Sequence, residues 1–147
     1  MAHCSEGVKQ GRLQVQRHCD NAQTVATWLA GQKSVAWVSY PGLPNDKYHS
    51  LAKKYVPKGA GAVFTFGLKG GYEAGVKLVS EVKLFSHLAN IGDTRSLIIH
   101  PASTTHRQLS DAQKVQAGAG PDVVRLSIGL EDTDDIIADL EQALAAA

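Results

Sequence analysis

The chain has 147 residues, 44% of them hydrophobic and 20% charged, enough for one soluble globular domain with a sizeable core. A formal net charge of +1, basic residues spread along the chain and an aromatic content of 6% argue against a nucleic-acid binder. No apolar run reaches the roughly 18 residues of a membrane span, and the first eleven residues lack the apolar stretch of a signal peptide, so a cytoplasmic protein without a membrane partner is expected. Residues 1–11 read as a disordered or appended tail, with the domain proper over 12–147. A helix is expected over 12–30, where Val15, Cys19, Ala22, Val25, Ala26 and Leu29 recur at the helical period and Gly31 follows. Cys19 on that stripe is a packing residue. With Cys4 it makes neither a disulfide framework nor a zinc spacing, which suits a reducing compartment.

A strand follows at 35–40. Pro41-Gly42 and Pro44-Asn45-Asp46 are turn chemistry, and Asp46 can cap a helix running to Tyr55. A second strand spans 60–68, and after Gly70-Gly71 a helix spans 72–82, with Gly75, Leu78, Val79 and Val82 as its apolar stripe. Short strands at 84–87 and 96–101 have no helix between them. A polar helix covers 110–117, and 123–130 (VVRLSIGL) is the clearest strand. The last helix starts with Thr133 as N-cap, with Asp134 and Asp135 in its positive first turn and Ile136, Ile137, Leu140 and Leu144 facing inward. These elements predict an α+β fold: a mixed, largely antiparallel sheet of about four to five strands with helices packed on one face.

Strand 123–130 has two unlike faces. Val124, Leu126, Ile128 and Leu130 share the apolar one; Val123, Arg125, Ser127 and Gly129 share the other. An arginine flanked by small residues is either a solvated side chain or a receptor for a carboxylate, which guanidinium binds through two parallel hydrogen bonds. The stretch SLIIHPASTTH (96–106) ends an apolar run at a proline, with a histidine on each side of a hydroxyl cluster. His100 and His106 are six apart, a spacing that suits no metal motif, and nothing marks Ser103, Thr104 or Thr105 as a nucleophile. Neither a Walker loop nor a GxGxxG turn is present. The residues assemble no catalytic group and no metal site, which points to a binding module or to one piece of a larger enzyme.

The segments RHCDNAQTVATWL, VSYPGLP, LAKKYVPKGAGAVFTFGLKGG, KLFSHLANIGDTRSLIIHPASTTH and VVRLSIGLEDTDDIIADLEQAL, in this order, resemble the C-terminal domain of O-acetylhomoserine sulfhydrylases. These are transferases of the Cys/Met-metabolism group of pyridoxal-phosphate (PLP) enzymes. The resemblance implies the small C-terminal domain of a fold-type I PLP enzyme and a γ-replacement on O-acetyl-L-homoserine, with sulfide displacing acetate to give homocysteine in methionine and cysteine biosynthesis. It implies that Arg125 holds the substrate α-carboxylate, that the backbone around Asn90 and Ile91 helps to position it, and that Thr105 stands near the substrate. The Asn90-Ile91-Gly92-Asp93 turn stands where cystathionine lyases have Ser-Leu-Gly-Gly, which leans towards the sulfhydrylase branch.

The family's Schiff-base lysine, in a Ser-x-Thr-Lys context, and its other cofactor-holding groups belong to a large domain that this sequence does not contain. Ser50-Leu-Ala-Lys53 lacks the threonine and is read as coincidence. The chain is therefore expected to be a fragment that binds no PLP and is inactive alone. Its implied partners are the large PLP domain, the substrate and further copies of itself, associating through an open sheet face that carries Arg125 with Val63, Ile98 and Val123. The alternatives are a free-standing non-catalytic α+β module and the small domain of a cystathionine γ-synthase or lyase.

Overall fold

Four strands form one sheet in the order β1-β2-β4-β3, and every neighbouring pair is antiparallel. The computed structural model describes residues 2–90 and 92–147. Its elements are α1 (Ala2–Ala30), β1 (Val35–Ser39), α2 (His49–Tyr55), β2 (Val63–Leu68), α3 (Gly71–Glu81), β3 (Leu97–Ile99), a 3-10 turn (Pro101–Ser103), α4 (Asp111–Gln116), β4 (Val123–Ser127) and α5 (Thr133–Ala146). The sheet is the expected α+β type at four strands.

Strand alternation sends Phe64 and Phe66 of β2, Ile98 of β3, and Val124 and Leu126 of β4 to one face. There they meet Ala22, Val25 and Leu29 of α1, Leu78 of α3, and Ile136 and Leu140 of α5 in one buried cluster. Each large side chain fully buried here contributes about 1.5–3 kcal/mol. The other face of the sheet carries Val63 and Thr65 of β2, Val123 and Arg125 of β4, and Leu97 and Ile99 of β3.

Several expectations are corrected. Helix α1 begins at Ala2, inside the stretch read as a tail. Val15 keeps the apolar period but is 61% exposed, three residues before His18, whose Nδ1 donates to the Ile128 carbonyl at 2.6 Å. Ile98 belongs to the core face, since it pairs with Leu126, and Ile99 takes the place opposite Arg125. Asp46 does not cap α2; its carboxylate accepts from the Tyr48 amide at 2.8 Å and closes a turn before the helix starts at His49. Asp132 caps α5 by accepting from the Asp134 amide at 3.0 Å, so Thr133 lies within the helix.

No full strand forms over 84–87. The buried carboxylate of Asp139 on α5 takes the amides of Lys83 and Leu84, each at 2.8 Å, and withdraws them from a ladder. A single parallel bridge between Ser86 and Leu97 remains.

Tyr40 follows β1 and is almost wholly buried, its hydroxyl donating to the Gly61 carbonyl at 2.9 Å. Burial, reinforced by Cys19 and Asp20, pushes the phenol up to about 12. The unfolded chain releases this proton near pH 10 while the folded one still holds it, so stability from this group is complete below pH 10 and is lost as pH rises towards 12. Urea midpoints at rising alkaline pH should fall more steeply for the wild type than for Tyr40→Phe.

Candidate functional site

Arg125 occupies the middle of β4, paired with Thr65 on β2 and Ile99 on β3. Central pairing on both sides fixes its backbone, and alternation aims its side chain away from the core face of Phe64, Phe66 and Leu126. The side chain is half-buried. Among the described residues it has no hydrogen bond and no ion pair. A guanidinium with free donors beside apolar walls is suited to a planar anion.

The walls come from three places. Leu97 and Ile99 of β3 and Ser127 of β4 flank the guanidinium, and Ala89 and Asn90 of the preceding loop lie over it. The free volume of the cleft is about 10 Å³, close to the space of one water. A larger ligand must displace the loop or enter from the open side.

The loop is anchored at both ends. At its start, the Ser86 amide donates to the Ser96 carbonyl at 3.0 Å, and the Ile98 amide donates to the Ser86 carbonyl at 3.1 Å. At its end, Glu131 accepts from the Ser96 amide at 2.7 Å and from the Ser96 hydroxyl at 2.9 Å. The Ser96 hydroxyl oxygen in turn accepts from the Gly129 amide at 2.9 Å.

Between these anchors, Asp93 clamps Arg95. One carboxylate oxygen takes the Arg95 amide at 3.0 Å and Nε at 3.1 Å, and the other takes a terminal guanidinium nitrogen at 3.0 Å. Asn90 Nδ2 also donates to Asp93, at 3.4 Å. Hydrogen bonds from the Arg95 side chain and amide hold the Asp93 carboxyl far below the usual carboxylate range, and Asp93 raises Arg95 in return. Gly92 has φ +78, a backbone state that side-chain-bearing residues rarely adopt, which explains the glycine of this turn.

Of the residues singled out in the sequence, Arg125 and Asn90 line one cleft. Ile91 lies outside the described residues. Thr105 is exposed, its hydroxyl 2.8 Å from His106 Nδ1, and it does not line the Arg125 cleft. His100 is fully buried, with Nε2 2.8 Å from the Pro121 carbonyl. A carbonyl only accepts, so Nε2 carries a proton, while Nδ1 lies 2.9 Å from the Ser103 hydroxyl. Thr104 donates to the His100 carbonyl at 2.8 Å. The hydroxyl cluster of SLIIHPASTTH therefore closes a strand end.

Sequence reasoning missed Leu97 and Ile99 as walls and Glu131 as an anchor. The alternation of strand 123–130 places Ser127 beside Arg125, but nothing local pairs Ser96 with a carboxylate 35 residues away. Among the described residues no group of three or more His, Cys, Asp or Glu side chains could hold a metal ion, and no helix is long and apolar enough to cross a membrane.

The family model for the Cys/Met metabolism PLP-dependent enzymes matches residues 2–145. The chain belongs to this family. It is 55% identical over 139 residues to O-acetyl-L-homoserine sulfhydrylase 1 of Thermus thermophilus, covering 95% of this chain and 33% of that protein. Against the homocysteine synthase of Schizosaccharomyces pombe the identity is 47% over 142 residues, with 97% of this chain and 33% of the relative covered. A crystal structure named as an O-acetylhomoserine (thiol)-lyase from Campylobacter jejuni superposes with a TM-score of 0.85 at 43% identity, over 91% of this chain and 32% of that one, and it carries a pyridoxyl-lysine adduct. The chain thus spans about a third of the length of these Cys/Met-metabolism relatives. Among the described residues the walls of the Arg125 cleft hold no lysine that could form a Schiff base with PLP.

Proposed function

We propose that this chain is the C-terminal, substrate-carboxylate-binding part of an O-acetylhomoserine sulfhydrylase. The reaction converts O-acetyl-L-homoserine and sulfide to L-homocysteine and acetate. The observation that carries this reading is the half-buried Arg125 guanidinium, without an internal partner, in a cleft shared with Asn90. Arg125 takes the α-carboxylate through its paired donors. The backbone at Asn90 and Ile91 fixes the orientation of the same group, and the Asp93–Arg95 clamp holds that turn in place. Thr105 contributes from the rim of the assembled site.

PLP supplies the electron sink for the replacement when it is bound. In this reading the lysine and the phosphate-holding groups come from the large domain, which packs on the Arg125 face of the sheet. Val63 at 48% exposed and Trp37 at 39% exposed support an interface there. The Trp37 indole donates to Asp122 at 2.9 Å and is held on that side of the sheet. Left open, the same face associates with further copies of the chain.

The test is a PLP titration of this chain followed by borohydride reduction and peptide mass spectrometry. No lysine should be trapped stoichiometrically, and no turnover of O-acetyl-L-homoserine should appear until the remaining two thirds of a sulfhydrylase polypeptide is added. One lysine trapped at full occupancy in the chain alone would refute the division of labour.

A further inference from the structure

Helix α2 is the only helix longer than six residues in this structure, among the described residues, that has no buried residue. Tyr48, Leu51 and Val56 are about half exposed and Tyr55 is 70% exposed. They stand at helical spacing on one side and, with Pro41 and Ala60, line an open groove. Leu51 and Tyr55 on the helix, with Tyr48 and Val56 at its two caps, collect four large apolar side chains into a contact surface waiting for a partner.

The chain segment that forms most of the groove carries charge of one sign. Lys47, Lys53, Lys54 and Lys58 lie within residues 47–58, a stretch without Asp or Glu. Among the described residues none of these four forms an ion pair. Lys47 instead stands over the Tyr48 ring at 4.8 Å, and Lys54 over the Tyr55 ring at 5.2 Å. A second copy docked groove to groove would bring four ammonium groups against four, which disfavours self-pairing. The complementary occupant is apolar at its centre and carries carboxylates at its rim.

We propose that the α2 groove seats an acid-flanked apolar segment of the polypeptide that makes up the other two thirds of the sulfhydrylase relatives. This rests on the reading of the chain as one domain of such an enzyme, but it concerns a different surface from the Arg125 face. Two seams, one on the open sheet face and one on α2, then clasp the chain to its larger partner.

The test is isothermal titration of this chain with the remaining two thirds of the Thermus thermophilus relative, produced separately, at about 50 mM and about 500 mM salt. The double variant Leu51→Ala/Tyr55→Ala should weaken binding by about tenfold or more. The pair Lys53→Glu/Lys54→Glu should weaken it at low salt and remove most of its salt dependence. Circular dichroism should show both variants folded, because α2 buries nothing.

If Val63→Asp on the open sheet face abolishes binding while Leu51→Ala/Tyr55→Ala binds like the wild type, the domain reading stands and this inference falls. If the wild type does not bind at all, both fall. If Leu51→Ala/Tyr55→Ala instead converts a self-associating chain to a monomer in sedimentation and leaves the titration unchanged, the occupant is a second copy and the inference is overturned.

Discussion

Replacing Arg125 by alanine, in an enzyme reassembled from this chain and the rest of a sulfhydrylase polypeptide, should lower kcat/KM for O-acetyl-L-homoserine by about 100- to 1,000-fold, equivalent to about 3–4 kcal/mol. The magnitude follows from removing a charge-assisted, two-pronged contact from a cleft with apolar walls, where the substrate carboxylate would lose its counter-charge. Arg125→Lys keeps the charge but not the planar fork, so it should recover only part of the loss. Neither change should unfold the chain. Arg125 has no hydrogen bond or ion pair to lose among the described residues, and urea midpoints should move by about 0.5 kcal/mol or less. Steady-state kinetics and urea titration on the same samples separate the two roles. An Arg125→Ala enzyme with wild-type kinetics would mean that the carboxylate is bound elsewhere.

Gly129→Ala should be among the most damaging single changes to stability, at about 3 kcal/mol. A Cβ at Gly129 would stand 2.5 Å from both the Arg95 carbonyl carbon and the Ser96 amide nitrogen, and would also clash with the Glu131 carboxylate. Two of these obstacles are backbone and cannot turn aside. The strand ends must separate, and the Gly129–Ser96–Glu131 hydrogen bonds separate with them. Asn21, whose side chain donates to the Gly129 carbonyl at 3.0 Å and the Glu131 carbonyl at 2.9 Å, loses its seat on the same segment. A urea melt measures the loss. Because Ser96 anchors the loop that covers Arg125, the variant should also bind substrate analogues more weakly under conditions where it remains folded.

The contrast between these residues shows what a linear reading can reach. Arg125 stood out because period-two alternation separates it from Val124 and Leu126, and alternation is a local property. The helical stripe of Ala22, Val25 and Leu29 was legible for the same reason, and all three are buried. Ile98 was assigned to the wrong face because a three-residue strand of apolar side chains carries no phase of its own; its register comes from pairing with Leu126. At the start of the expected strand 84–87, Asp139, more than 50 residues later, draws away the amides of Lys83 and Leu84. Thr105 was named for its place in a family phrase, and its contact with His106 is a local one that the sequence order alone allows. Long-range partners of this kind leave no periodic trace.

The pairing of β4 between β2 and β3 has one more consequence. A slip of one residue would turn every side chain of β4 to the opposite side. Arg125 would then enter the layer now filled by Phe64, Phe66 and Leu126, an unaffordable burial of an unpaired charge, while Val124 and Leu126 would come out into water. Misregistered molecules are thus removed by their own instability. Quality control of the anion receptor is built into the folding reaction: a molecule that survives as a folded domain is one whose arginine points outward.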